Sequence, residues 1–292
     1  MRRICAALMV SFLMAGAAAA HAADTQTSGQ AVAERLIGKQ LFLRGFWGND
    51  DLKFDANGQI ETASQTVSFT ESGIDVHSVR VDGNTLYIED QRMALEYLTD
   101  EEIRRVQAKT EQEPGATSLN IEGDGTGNFD KALDRVFAND LASLTPSLPQ
   151  YWQAYAMQHF LPVVAEKQEI APSRPVARPV EFEVQSFAPA QKSAVHVGGA
   201  VKPPTLIRTY NPTFTDLANA QQFTGNVKLY LWFDADGKVS HVSVARPAGL
   251  GLDEAAIAAV EKYEFAPATK DGNAVTVDLY LDVSFKTLRP LW

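Results

Sequence analysis

Hydrophobic and polar positions alternate most regularly in the last hundred residues of the chain. Every second residue over 227–233 is apolar, which predicts a strand with one face on a core. A turn signal at 234–237 and a second apolar run over 239–245 predict a β-hairpin, with a bulge near Ser240 where the alternation is lost. A third alternating run, over 275–286, predicts a long strand with one solvent-exposed face.

A helical period follows the predicted hairpin. Apolar residues recur with a 3.6-residue period over 252–263, which predicts an amphipathic helix. Asp253 and Glu254 are predicted on its polar side, in the first turn, where negative charge suits the exposed N–H groups. With a helix predicted over 214–222, the order helix, strand, strand, helix, strand favours a small α+β domain with an antiparallel sheet and two helices.

The preceding part of the chain is predicted to be β-rich with helices at its C-terminal end. A helix is predicted over 31–36, and apolar residues at helical spacing over 132–144 predict another, ended by Pro146. The aromatic-rich patch over 151–161 predicts a last helix that packs on the sheet, which we favour over a ligand groove. Between the helices predicted over 31–36 and 132–144, turn signals made of Gly, Asn and Asp separate strand candidates at 66–69, 76–81 and 85–89.

The N-terminus and a proline-containing stretch divide the chain. Arg2 and Arg3, an Ala-rich apolar run and a small-x-small signal at 20–22 predict a cleaved signal peptide, with an uncleaved membrane anchor as the alternative. Eight of the fourteen prolines fall between 162 and 212, which predicts a semi-rigid linker. The predicted segments are a signal peptide at 1–22, an acidic β-rich domain of unknown function at 23–165, a linker at 166–195 and a C-terminal domain at 196–292.

Composition narrows the classes of function. The net charge of −10 argues against nucleic-acid binding, because phosphate contacts need Lys or Arg. Removal of the leader takes away the single cysteine, Cys5, and with it thiol-based disulfide, metal and redox chemistry. The histidines lack metal-ligand spacing, and no Gly-x-Ser-x-Gly motif occurs. We therefore predict no cofactor, no metal and no enzyme activity; an unidentified enzyme or ligand-binding function in the 23–165 domain is the alternative.

Residues 198–285 resemble the TonB C-terminal domain. Seven short motifs carry the resemblance in order: V-K-P-P at 201–204, N-P-T-F at 211–214, G-N-V at 225–227, D-G-K-V at 236–239, L-D-E-A-A at 252–256, F-A-P-A at 265–268 and Gly272. Two features depart from the family. Phe214 and Thr215 replace its usual Tyr-Pro, and the N-terminal apolar run lacks the histidine of the family's membrane helix.

The resemblance implies both a function and a binding edge. Proteins of this family pass proton-motive energy from the inner membrane to outer-membrane receptors by holding an extended receptor segment against the edge of their sheet. By analogy, the receiving edge here is the strand predicted over 275–286, which gains main-chain hydrogen bonds from the added segment. The implied partner-binding residues are Val275, Val277, Leu279, Tyr280, Leu281, Val283, Phe285 and Phe214.

These implications favour a periplasmic TonB-like protein that binds an outer-membrane receptor or another envelope protein through an extended peptide, linked to energy-dependent transport. If the leader is retained as an anchor, the chain would instead be an energy transducer of the inner membrane, facing the periplasm and coupled to a proton-driven motor. The sequence leaves open the identity of the partner, the role of the acidic domain and the formation of a homodimer.

Overall fold

The computed structural model describes residues 29–99, 102–108, 116–161 and 194–286, and its fold mixes helices and sheets in the α+β manner. The predicted signal peptide and nearly all of the predicted linker lie outside these residues. Both therefore stay predictions, as do the domain boundaries. Within the described ranges, no helix combines the length and the apolar character needed to cross a bilayer.

A seven-stranded sheet, which we call the N-terminal sheet, forms the first half of the fold. Its strands are β1 (Gln40–Leu43), β2 (Asp51–Phe54), β3 (Gly73–Asp82), β4 (Thr85–Tyr97), β5 (Ile103–Gln107), β6 (Ala116–Glu122) and β7 (Phe137–Ala138). They lie in the order β2, β6, β4, β3, β1, β7, and β5 pairs with β4 beyond the end of β6. The β3–β4 hairpin turns at Gly83, whose φ of 60° is a left-handed conformation that glycine adopts without strain.

The helices of this half are α1 (residues 29–36), α2 (Asp130–Val136), α3 (Leu141–Leu144) and α4 (Gln150–His159). The single helix predicted over 132–144 is wrong, because Phe137 and Ala138 leave the helical path and pair with β1. Asp140 then starts α3 by accepting the Ser143 N–H in a capping box. The strand predicted at 66–69 is also wrong: Phe69 begins a 3-10 turn, which Ser68 caps.

The second half is built on a four-stranded sheet, which we call the C-terminal sheet. Its strands are β8 (Val195–His196), β11 (Thr224–Phe233), β12 (Val239–Arg246) and β16 (Val277–Lys286), in the order β12, β11, β16, β8. The predicted bulge is confirmed: Trp232 pairs with His241 and Phe233 with Val239, so Ser240 is the extra residue. The helices are α5 (Asp216–Ala220) and α6 (Leu252–Val260).

Five short strands complete this half as two small sheets. They are β9 (Val201–Lys202), β10 (Thr205–Arg208), β13 (Glu264–Ala266), β14 (Thr269–Lys270) and β15 (Asn273–Ala274). Strand β10 pairs with β13, and β14 lies between β9 and β15.

One apolar core joins the two sheets. It contains side chains from β1 and β4, from α4, and from β11, β12, α6 and β16. Helix α4 lies alongside β12, and its Trp152 ring meets the Phe69 ring edge-on at 4.6 Å between centroids. The aromatic patch therefore packs in the core as predicted, but against both halves of the chain.

The loop between β12 and α6 also pairs with the N-terminal sheet. Leu250 donates its N–H to the Leu95 carbonyl at 2.9 Å, and Tyr97 donates to the Ala248 carbonyl at 3.0 Å. Between them, Glu96 and Gly249 form an antiparallel bridge. A Cβ on Gly249 would lie 2.1 Å from the Leu95 carbonyl oxygen, so only glycine allows this approach.

This docking reverses one prediction about α6. Asp253 and Glu254 were expected on a polar, solvent-facing side, but they are only 0% and 6% exposed. Asp253 accepts the N–H groups of Ala248 and Gly249 at 2.9 and 2.8 Å. Glu254 accepts hydrogen bonds from α4 instead of facing water. The N-terminal half covers the side of α6 that the sequence pattern assigned to solvent.

Candidate peptide-binding edge

Strand β16 lies between β11 and the outer margin of the C-terminal sheet. It pairs with β11 along its whole length, from Val277 opposite Phe233 to Lys286 opposite Thr224. We call the side of β16 that faces away from β11 the receiving edge. Val275 lies two residues before the strand and donates its N–H to the Ala268 carbonyl, so it is not part of this edge.

Only the beginning of the receiving edge is occupied by the described part of the chain. Strand β8 pairs there in parallel, with Val195 opposite Val277 and His196 opposite Asp278. The chain then turns away through Gly198 and Gly199, whose φ angles are 155° and 60°. No described strand pairs with residues 279–286 on this side, a length of about 25 Å at the rise of an antiparallel strand.

The period of the strand decides which backbone groups face the receiving edge. The Thr276 carbonyl accepts the Val195 N–H there at 3.0 Å. Because successive residues of an antiparallel strand point their backbone groups to opposite sides, the N–H and C=O groups of Tyr280, Asp282 and Ser284 face the same edge. No strand of the described residues pairs with this row of hydrogen-bonding groups.

The outward face of β16 presents polar and aromatic side chains. Tyr280 is 58% exposed, and its ring lies 5.2 Å from the Tyr230 ring of the neighbouring strand. Tyr230 donates its hydroxyl to Asp278 at 2.9 Å. Partial burial, and then this hydrogen bond, raise the pKa of Tyr230, so the phenol remains a donor at neutral pH. The exposed carboxylate of Asp282 lies 3.6 Å from the Arg246 guanidinium.

The opposite face of β16 is apolar and contacts the core. Val277, Val283 and Phe285 are buried, as the alternation predicts, while Leu279 and Leu281 are only half-buried. Phe214 lies on this side, where its ring meets the Phe285 ring edge-on at 5.3 Å. The structure thus places Phe214 as a packing partner of β16, and Leu279 and Leu281 as the side chains at the margin of the core.

The other margin of the C-terminal sheet lies against the rest of the chain. Strand β12 contacts α4, and the loop that follows β12 is hydrogen-bonded to β4. The two glycines of the A-G-L-G run at 248–251 are an indirect sign of this contact in the sequence. In the structure, three successive residues of this run have positive φ. Positive φ at Leu250, at 56°, marks a backbone held in place by its neighbours.

Two aspartate side chains accept hydrogen bonds from the backbone that follows them. Asp234 accepts the N–H groups of Asp236 and Lys238, so 234–237 forms the turn of the hairpin that the sequence predicts. Asp124 makes the same kind of turn at 124–128, ahead of α2. Within the described ranges, no group of three or more His, Cys, Asp or Glu side chains is arranged to hold a metal ion.

Comparison with known families agrees with this geometry. Residues 210–287 match the family described as Gram-negative bacterial TonB protein C-terminal, and this range contains α5, β11, β12, α6 and β16. Members of that family act in protein interaction and energy transduction, not in catalysis, and they belong to the cell envelope. No curated protein matches the chain.

Proposed function

We propose that this chain, which belongs to the TonB C-terminal domain family through residues 210–287, binds an extended segment of an envelope partner as an added strand on β16. The partner is an outer-membrane receptor or another envelope protein, and binding is linked to outer-membrane transport. TonB-like proteins interact with outer-membrane receptors, which makes these receptors the first class to test.

The single observation that carries the proposal is the row of backbone groups along residues 279–286, with which no described strand pairs on the receiving edge. An extended peptide can satisfy these N–H and C=O groups and lengthen the sheet by one strand. Affinity then comes mainly from the main-chain ladder, which every peptide of suitable length can form.

Selectivity comes from the two faces of β16. On the inner face, the half-buried Leu279 and Leu281 favour apolar peptide residues that extend the core. On the outer face, Tyr280 and Asp282 are exposed beside the path of the peptide. The preferred segment therefore alternates apolar residues with polar or basic ones, in register with β16.

Backbone resonances of the mature chain, residues 23–292, provide the test. Titration with synthetic N-terminal segments of outer-membrane receptors should shift the amides of residues 278–286, protect those of Tyr280, Asp282 and Ser284, which face the receiving edge, and leave those of β2 and β6 unchanged. A panel of such segments that shifts no amide along β16 would contradict the proposal.

A matched pair of variants separates backbone pairing from side-chain contact. Asp282→Pro removes one N–H that faces the receiving edge, whereas Asp282→Ala removes the same carboxylate and keeps the N–H. We expect Asp282→Pro to weaken peptide binding at least fivefold more than Asp282→Ala. Equal affinities for the two variants would show that the edge ladder does not bind the peptide.

Release into the periplasm is the second part of the proposal. It is supported by the cleavage signal at 20–22. The intact mass of the exported protein decides it, because a mass that starts at Ala23 supports a released module. A mass that starts at Met1 would instead support the anchored energy transducer.

A further inference from the structure

A short segment of the chain itself already lies on the receiving edge. Strand β8 pairs with the first two residues of β16 in parallel, and it lies ahead of residues 210–287, which match the family. It uses the same kind of backbone groups, on the same side of β16, that we assign to a partner peptide.

Besides the pairing of the ladder itself, two contacts help to hold β8 in place. Val195 donates its N–H to the Thr276 carbonyl at 3.0 Å. On the outer face, His196 Nδ1 lies 3.3 Å from Asp278 Oδ2, the carboxylate oxygen that also accepts the Tyr230 hydroxyl. Because a carboxylate only accepts, His196 is the donor of this pair. Asp278 thus offers an acceptor site to whatever strand lies on this part of the edge.

The same observations show that β8 is held weakly. Both of its residues are exposed, and the ladder is only two residues long. A ladder of two residues makes fewer main-chain hydrogen bonds than an additional strand of eight or more residues can make along the same edge. The turn at Gly198 and Gly199 leads the chain away from the edge, so β8 can leave without disturbing β16.

We propose that β8 is an internal occupant of the receiving edge, which the partner segment displaces when it pairs with the full length of β16. The partner segment is then an extended peptide of about ten residues with a hydrogen-bond donor, such as the side chain of His, Lys, Arg or Thr, at the position opposite Asp278. This inference rests on the proposed function. It adds that β8 competes with the partner segment, and that the segment carries a hydrogen-bond donor opposite Asp278.

Two substitutions in β8 test the displacement. Val195→Pro removes the N–H that donates to Thr276, and Val195→Ala keeps that N–H while shortening the side chain. The probe is a fluorescently labelled copy of the receptor segment that shifts β16 amides most strongly. Its binding to the protein of residues 23–292 is measured by fluorescence anisotropy. We expect Val195→Pro to tighten binding about three- to tenfold, the factor that corresponds to loss of one hydrogen bond, and Val195→Ala to stay within twofold of wild type.

A second comparison tests the donor position. His196→Ala frees the Asp278 carboxylate, so a probe with Lys opposite Asp278 should gain at least threefold in affinity, and a probe with Ala there should gain less. Equal probe affinities for wild type, Val195→Pro and His196→Ala would overturn the inference while leaving strand addition intact. Absence of binding to all three proteins would overturn the proposed function as well. An unchanged thermal midpoint establishes that each variant is folded.

Discussion

The indole N–H of Trp152 donates a 2.9 Å hydrogen bond to the carboxylate of Glu254 and so joins α4 to the first turn of α6. Tyr151 donates to the same oxygen at 3.4 Å. All three side chains are buried, and they lie at the contact between the N-terminal half and the C-terminal sheet. Helix α4 lies alongside β12 at one margin of this sheet, whereas no described strand pairs with residues 279–286 of β16 at the other.

Replacement of Glu254 by alanine should destabilise the protein. The substitution leaves the Trp152 N–H and the Tyr151 hydroxyl buried without their acceptor, which costs about 1–3 kcal/mol of unfolding free energy. Glu254→Gln is the matched control, because it keeps an acceptor oxygen and removes the cost of a buried charge. Urea unfolding, monitored by tryptophan fluorescence, gives the unfolding free energies of both variants. A stability of Glu254→Ala equal to that of Glu254→Gln would contradict the role of this hydrogen bond.

Gly249 should tolerate no side chain. In Gly249→Ala the new Cβ meets the Leu95 carbonyl oxygen, and the φ of 79° adds backbone strain. We expect the loop to detach from β4, so that the Leu250 and Tyr97 amides exchange with solvent faster. Gly83→Ala is the control, because Gly83 also has positive φ but no atom within 4 Å of an added Cβ. The prediction is wrong if the Leu250 and Tyr97 amides exchange with solvent at the same rates in Gly249→Ala as in the wild type.

The stability of the protein should fall as the pH rises towards neutrality. Burial, and then the nearby Glu254 carboxylate, raise the pKa of Glu71 from 4.5 to about 7. Between these two values Glu71 keeps a proton in the folded protein that it has lost in the unfolded chain, so its contribution to stability decreases with increasing pH and stops changing above about 7. Burial also raises the pKa of Asp90, to about 6, which adds an effect of the same sign at lower pH.

Glu71→Gln isolates the contribution of Glu71. The variant has no proton to lose, so its unfolding free energy should change less between pH 5 and pH 8 than that of the wild type. Urea denaturation at both pH values gives the two differences. Identical differences in wild type and variant would show that Glu71 does not carry this pH dependence.

Phe214 should contribute to stability through Phe285. Phe214→Ala removes the edge-on contact with Phe285 at the C-terminal end of β16, and we expect a loss of about 1–2 kcal/mol for this half-buried ring. Phe214→Tyr keeps the ring and restores the residue type usual in the family, so it should unfold at the wild-type denaturant concentration. If Phe214→Ala unfolds at the same denaturant midpoint as the wild type, Phe214 does not stabilise β16.

Local pattern was sufficient for the three long strands and the two helices of the C-terminal half, but not for its short strands. Alternation along β11, β12 and β16 predicts which side chains face the core, because a strand repeats every two residues and one face of this sheet is buried. Loss of alternation at Ser240 locates the bulge for the same reason. The strand β16 and its two faces could therefore be predicted from the chain alone.

The N-terminal half was harder to predict, since its errors come from pairing at long range. Phe137 and Ala138 continue a helical pattern in the sequence, yet pairing with β1, nearly a hundred residues earlier, draws them out of the helix. One continuous helix and two helices separated by a short strand can have the same spacing of apolar residues. The pattern alone therefore could not distinguish the two.

Sequence alone determined the family resemblance, the α+β character and the alternation of β16, all of which depend on residues close together in the chain. Tertiary structure decided the burial of Asp253 and Glu254, the approach of Gly249 to Leu95 and the position of β8 on the receiving edge. Each of these joins residues distant in sequence. A carboxylate in the first turn of a helix can either face solvent or accept hydrogen bonds in a buried site. Which of the two occurs here depends on the packing of the N-terminal half against α6.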